Sequence, residues 1–306
     1  MRKKNHSFLG LCIAGCCVAA VLYGIYCLVF PMSAPVGAGS QEHAIKDQVL
    51  LSFDIEEYDV PREYGVEWDP IGQGMEVSRY GTVRILDCLK ECGVRGTFFC
   101  TTNFAQHAPD IIERIVREGH EVASHGCDHS DPQPEHVIVS KRLLEAQTGQ
   151  PVYGYREPRM FPVDIQELKR QGYEYNASLN PAFIPGRYMH LDMPRTWFYE
   201  DSLLQIPASV SPCFRIPLFW LALHNFPLGV YRHLVRRTLR YDGYFNTYFH
   251  PWEFYPLGEH PEWKMPYIIR HNAGDPMYER LKAVISDLRS HGAEFVTYHE
   301  FAQTKQ

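Results

Sequence analysis

The sequence has no excess of lysine and arginine: its 30 basic residues are outnumbered by 36 acidic ones, for a formal net charge of −6. Binding a phosphate backbone needs basic side chains gathered on one face, so no nucleic-acid partner is expected. Regular cysteine spacing is missing too. Cys12, Cys16, Cys17 and Cys27 lie in an apolar N-terminal stretch, and Cys88, Cys92, Cys100, Cys127 and Cys213 lie in the body. An odd number there excludes a full disulfide framework; Cys88 and Cys92, one helical turn apart, read as packed free thiols. No repeat occurs at solenoid periods. With 45% hydrophobic and 22% charged residues, neither a disordered chain nor a polytopic membrane protein is indicated.

Charge is absent altogether from residues 8–30, 23 consecutive positions. That length suits a transmembrane anchor. Arg2, Lys3 and Lys4 make residues 1–7 a basic cytoplasmic segment, and the positive-inside rule sends the remainder outward. The expectation is therefore a single-pass protein of the cytoplasmic membrane whose body is extracytoplasmic, on the periplasmic side. Ile13-Ala14-Gly15-Cys16 resembles a lipoprotein cleavage box, but the apolar run continues 14 residues past Cys16, where a lipoprotein turns polar. A cleaved signal peptide has a shorter apolar core. Residues 31–47 are small, aperiodic and rich in proline and glycine, a linker. Residues 48–306 are long enough for one large α/β domain.

Within that body short apolar runs alternate with helical patterns. VLLSFDI reads as a buried strand, VSRYGTVRILDCLKECG as a helix closed by glycine, RGTFFCTT as a strand, PDIIERIVREGH as a helix opened by proline, and HEVASHG as a third strand. Residues 135–149 form a further helix before PVYGYREP, and VDIQELKRQGYEY repeats the rhythm. Such alternation predicts a parallel sheet with helical crossovers. From about Leu191 to Leu239 the pattern fails in a stretch rich in proline and aromatics, read as an irregular insertion. GYFNTYFHPWEF is a late strand leading into a loop, DPMYERLKAVISDLRSHG an amphipathic helix, and AEFVTYHEF closes the sheet.

The ends of these strands carry the chemistry. His125 and His129, four residues apart after the third strand, are candidate metal ligands, since neutral imidazole is the commonest protein ligand of transition metals. With 15 histidines in the chain the pair alone says little. Its company says more: Asp54, Glu56 and Glu57 end the first strand, Arg156 the fourth, and His250 a late one. In parallel α/β proteins reactive groups gather at the carboxyl ends of strands. Asp54 and Glu56, at i and i+2, can face one site. Two histidines and a carboxylate leave coordination positions open for water and substrate, as in hydrolytic zinc centres. His107, His120, His136, His224 and His299 lack such partners and read as structural.

In order, LLSFDIEEYD, TFFCTTNFA, GHEVASHGCDH, YGYREP and YFHPWEF resemble the five conserved blocks of the NodB-homology polysaccharide deacetylases, carbohydrate esterase family 4. The resemblance is to the branch associated with exopolysaccharide biosynthesis, with Asp-x-Glu first and His-Pro-Trp-Glu last. It implies a distorted (β/α) barrel, a divalent metal, most often Zn2+, and hydrolysis of N-acetyl groups on amino-sugar glycans. Carried onto this chain, Asp54 corresponds to the catalytic base, Glu56 to the metal carboxylate with Glu57 as alternative ligand, and His125 and His129 to the metal histidines. Arg156 corresponds to the arginine orienting the base and His250 to the general acid, a histidine of ordinary pKa holding its proton at neutral pH. Pro158, Trp252 and Glu253 fall at substrate-binding positions. Arg159 stands where the family often has an aromatic residue, and Glu56 where it mostly has an aspartate adjacent to the base. Two alternatives remain: a deformylase or deacetylase of a lipid-linked sugar precursor, and a catalytically inactive glycan-binding module.

Overall fold

The computed structural model describes residues 47–184 and 188–306. The expected basic segment and anchor, and all but the last residue of the linker, lie outside them. Among the described residues no helix is long and apolar enough to cross a membrane.

In chain order the strands are β1 (Gln48–Ile55), β2 (Thr97–Cys100), β3 (Glu121–Ser124), β4 (Gly154–Tyr155), β5 (Tyr175–Asn176), β6 (Phe183–Ile184), β7 (Tyr188–Met189), β8 (Phe198–Glu200), β9 (Leu203–Gln205), β10 (Tyr244–Phe249) and β11 (Glu294–Phe295). One sheet runs β10-β1-β2-β3-β4-β5-β9-β8, with β11 beside the start of β1. Every pairing in it is parallel except β8 with β9. After β9 the chain crosses back: Ile206 N–H donates to Asn176 at 2.9 Å, and Ser209 N–H to the Asn246 carbonyl of β10 at 3.0 Å. The sheet thus curls toward closure through irregular chain, the distorted barrel that the motifs imply.

β1 lies between β10 and β2 in the curled sheet and is mostly apolar. All eight residues are buried, and Val49, Leu50, Leu51, Phe53 and Ile55 are fully inaccessible, each worth about 1.5–3 kcal/mol relative to exposure. Its only strongly polar side chain toward the end is Asp54, which therefore needs a buried partner. The helix Met75–Cys92 buries Val77, Ser78, Thr82, Ile85, Leu86 and Leu89 at helical spacing and stops at Gly93, whose φ of 62° suits glycine. Mid-helix, a Cβ on Gly81 would sit 1.8 Å from the Pro251 carbonyl oxygen. The helix backbone therefore lies directly against the turn that carries His250.

Two expectations need correction. The stretch read as irregular contains a 15-residue helix, Leu228–Asp242, burying Tyr231, Leu234, Val235, Thr238 and Leu239. Its period was legible but hidden behind the proline-rich approach. AEFVTYHEF does not form a closing strand beyond Glu294–Phe295; Thr297 and Glu300 form a capping box that starts a helix, Tyr298–Gln303.

Candidate active site

The end of β1 delivers four carboxylates in six residues, Asp54, Glu56, Glu57 and Asp59, all buried. They point to different tasks. Asp54 is paired with Arg156 in a short contact, and the guanidinium also donates to the Ala177 carbonyl at 3.2 Å and to Tyr298 Oη at 2.9 Å. Its face covers the Phe99 ring, with the carbon of the guanidinium 4.0 Å from the centroid. Burial pushes Asp54 upward, but the Arg156 guanidinium, by its charge and its hydrogen bond, outweighs it and holds the carboxyl below its ordinary range.

β3 ends at Ser124, and Gly126, at φ 72°, turns the chain so that His125 and His129 both face Glu56. Glu56 Oε2 lies 3.3 Å from His125 Nε2 and 3.1 Å from His129 Nε2. One ligand atom from each of these residues lies within 4.8 Å of the others, a geometry that can hold a metal ion. The donor set fits one. His125 Nδ1 meets the Arg156 carbonyl at 2.8 Å, which only an N–H can satisfy, so in the neutral ring Nε2 is a lone pair facing a carboxylate oxygen. Burial keeps that ring neutral, pushing His125 down. Burial, with Asp59, Asp54 and Glu57 as like charges, drives Glu56 well above the carboxylate range despite His129. A cation between the three groups removes both conflicts.

Glu57 faces away from this cluster. Its Oε2 accepts from Thr101 Oγ1 at 2.9 Å and its Oε1 from the His129 backbone N–H at 3.0 Å. As the alternative ligand it is corrected: it clamps the histidine loop to β2. Asp59, unassigned in the sequence reading although it closes the DIEEYD run, holds the far side of His129, with Oδ1 3.3 Å from Nδ1. Ser130 Oγ and Arg159 donate to its Oδ2 at 2.8 and 3.0 Å. Burial would raise Asp59, but His129, Ser130 and Arg159 prevail and bring it to about 2. Arg159, left-handed at φ 59°, also reaches Glu63 at 2.5 Å. It braces the His129 side of the site.

His250 follows β10, the strand paired with β1. Its Nε2 is 3.9 Å from Asp54 Oδ2, and its Nδ1 and backbone N–H meet Glu253 Oε1 at 2.9 and 2.6 Å. The ring stacks on Trp252 at 5.1 Å and 17°, with Trp220 edge-on at 5.7 Å. Burial pushes His250 down to about 3, with His129, His125 and Arg156 acting in the same direction and Asp54 against. A histidine of ordinary pKa, able to hold a proton near neutral pH, is therefore not what stands here: burial keeps the resting ring neutral.

The three expected substrate contacts are also corrected. Pro158 is buried, Trp252 is 3% exposed beneath His250, and Glu253 is wholly inaccessible. Their side chains support the site without presenting a face to a glycan. Tyr298, Trp220, Asp59 and Thr101 were missed because they reach the site through contacts distant in sequence; only Asp59 lay in a motif.

Residues 46–172 match the family model described as polysaccharide deacetylase. A peptidoglycan deacetylase of Helicobacter pylori (strain ATCC 700392 / 26695) is 29% identical over 164 residues, covering 50% of this chain and 55% of that protein. The chain spans about half or less of the first curated relatives it matches. Among solved structures, a Mycobacterium smegmatis protein assigned as a polysaccharide deacetylase aligns with a TM-score of 0.59 at 20% identity, over 89% of this chain and 93% of that one. Puue allantoinase aligns with a TM-score of 0.58 at 17% identity, over 90% and 96%. At these identities the two structures speak to the fold alone.

Proposed function

We propose, on the match of residues 46–172 to the polysaccharide deacetylase family model, that the protein is a metal-dependent N-deacetylase of amino-sugar glycans of the NodB-homology group. The observation that carries this reading is one constellation: Glu56, His125 and His129 converge beside Asp54, which is paired with Arg156 and has His250 Nε2 3.9 Å from its Oδ2. Glu56, His125 and His129 would hold a divalent ion, most simply Zn2+, which would supply polarisation of an acetamide carbonyl and a bound water acidified toward neutral pH.

The protein's own residues handle the protons. Asp54, held ionised by Arg156, takes the proton of the attacking water. His250 is neutral, and its Nδ1–H donated to Glu253 leaves the Nε2 lone pair toward Asp54 Oδ2. Its proton must therefore arrive during the reaction, by way of Asp54, before it passes to the departing amine. Acetate and a free amino sugar are the products. The glycan we propose is an exopolysaccharide or a cell-envelope polysaccharide, deacetylated outside the cytoplasmic membrane by a domain tethered through residues 8–30.

The test is acetate release from N-acetylated glucosamine oligomers and envelope glycans, with and without chelator. Chelator-sensitive release is expected. A metal-loaded chain that binds these glycans and frees no acetate would instead be a glycan-binding module. A second reading, deacetylation or deformylation of a lipid-linked sugar precursor, is favoured by exposed apolar side chains at the end of β7 and on the loops, Met189, Leu191 and Phe214 at 64%, 53% and 65%. Partition of a chain lacking residues 1–40 onto lipid vesicles supports it; a chain that stays in solution supports the soluble polymer.

A further inference from the structure

Behind His250 lies a second buried histidine that the proposed chemistry does not use. His224, on the helix Trp220–Asn225, is wholly inaccessible, as is Glu253. His224 Nδ1 meets the His271 carbonyl at 2.7 Å; a carbonyl only accepts, so Nδ1 carries a hydrogen. His224 Nε2 then faces Glu253 Oε2 at 3.3 Å, and neither atom meets another hydrogen-bond partner. A neutral imidazole nitrogen against a carboxylate oxygen sets lone pair against lone pair where both side chains are inaccessible to solvent, a costly arrangement. One proton between them relieves it.

Resting on the reading of His250 as the group that protonates the amine, we propose that His224 and Glu253 hold one proton between them, and that its passage from Glu253 Oε2 to His224 Nε2 and back adjusts His250 through each turnover. At rest the proton is on Glu253, whose burial raises it well above the carboxylate range, while burial brings His224 down to about 4. An acid carbonyl accepts weakly from His250 Nδ1, which keeps His250 a poor base. When Asp54 hands its proton to His250 Nε2, the Glu253 O–H bond breaks and an N–H bond forms at His224. Glu253 is then a carboxylate against the His250 imidazolium. When His250 releases its proton to the amine nitrogen, the His224 N–H breaks and Glu253 regains its own. No proton is gained or lost by the pair over a cycle.

The neighbours that bear on this chain of groups are few. Asp54, Arg156, His125 and His129 act on His250, Asp54 and Glu56 on Glu253, and Arg280 and His271 on His224. Tyr231 is close enough for Glu253 to raise it. Arg280 is engaged with the Leu223 and Phe226 carbonyls. Glu253 is thus the acidic group between the two rings, and His224 is a positioning residue that reaches the substrate only through it.

The experiment uses the full chain near pH 7. Imidazole nitrogen NMR and the infrared band of protonated carboxylic acids, compared between wild type and Glu253→Gln, locate the proton. The expected result is an acid band that Glu253→Gln abolishes, beside a neutral His224; a doubly protonated resting His224 overturns the proposal. A neutral His224 together with an ionised Glu253 overturns the proposal. In kinetics, His224→Gln, whose amide pins Glu253 as a carboxylate, should lower kcat at least about 10-fold, a part of the roughly 10²–10⁴ that positioned proton transfer supplies, with KM and bound metal unchanged. An unchanged kcat, with or without a lower thermal midpoint, overturns it. Should His224→Gln fail to fold, Glu253→Gln takes its place: its amide still bridges the two rings but has no mobile proton, and the same loss is expected and an unchanged kcat is fatal. A wild type that releases no acetate refutes the proposed function, and the spectroscopic result stands apart from it.

Discussion

The two flanks of the constellation are built from opposite materials. On the β1, β3 and β4 side, buried groups are charged and matched: Asp54 to Arg156, and Asp59 to His129 and Arg159. On the β10 side they are neutral: His250, Glu253 and His224 sit among Trp220, Trp252 and Tyr248. Desolvation acts on both flanks with the same strength of argument. Only where a counter-charge is in contact does the ionised form survive, so one flank keeps an ionised carboxylate beside a donor set that can hold a cation, while the other stays neutral. The difference teaches that burial by itself does not assign a role; the partner does.

Several changes would break or sharpen this contrast. Replacing His129 or His125 by alanine strikes the charged flank hardest. Bound metal should be lost and turnover should fall about 1000-fold or more, the several kcal/mol expected of a Lewis acid; metal analysis beside acetate release checks it. His250→Ala strikes the neutral flank. It should leave metal content intact and slow turnover about 100-fold or more, so a variant that loses its metal would show the flanks to be one unit. Asp59→Asn keeps the shape but removes the charge behind His129, and metal affinity measured by competition should weaken about 10–100-fold.

Gly81→Ala leaves every functional group in place yet drives a methyl into the Pro251 carbonyl. A cost of about 1–3 kcal/mol is typical of overpacking, and the loss in kcat should exceed any loss of metal, because only the His250 turn is displaced. The mildest effect lies in the scaffold. His120 is buried and accepts from the Gly96 N–H at 3.3 Å, and burial brings it to about 4, below an unfolded value of about 6.5. Between those values the unfolded chain binds the extra proton. Its contribution is therefore complete above about pH 6.5 and lost as pH falls toward 4, with a slope of about 1.4 kcal/mol per pH unit. Urea midpoints between pH 7 and 4.5 should lose that share of their slope in His120→Asn.

Much of the charged flank was legible because its residues sit at the ends of short, strongly apolar strands, and strand period alone brings Asp54 and Glu56 to the same end of the sheet. Glu57 was ambiguous for the same reason: the period stops where the strand does, and only the contacts of Thr101 and the His129 backbone show which way it turns. The neutral flank was poorly legible. His224 lies in a proline-rich, aromatic segment without period and was read as structural; Trp252 and Glu253, sequence neighbours of His250, were read as facing substrate when they lie beneath it. Tyr298 was taken for part of a strand, although the capping box at Thr297 and Glu300 was present in the sequence.

By itself the sequence determined the alternation of strand and helix, the parallel sheet that follows from it, and which side chains stand at the carboxyl ends. Those are matters of local period and of apolar runs that cannot remain in water. Tertiary structure alone decided which carboxylate faces the histidines, that Arg156 rather than solvent meets Asp54, and that His250 rests neutral upon a buried acid and a second imidazole. Each of these depends on what lies across several ångströms of space from a residue distant in the chain, and the free energy of a buried charge is set by that neighbour.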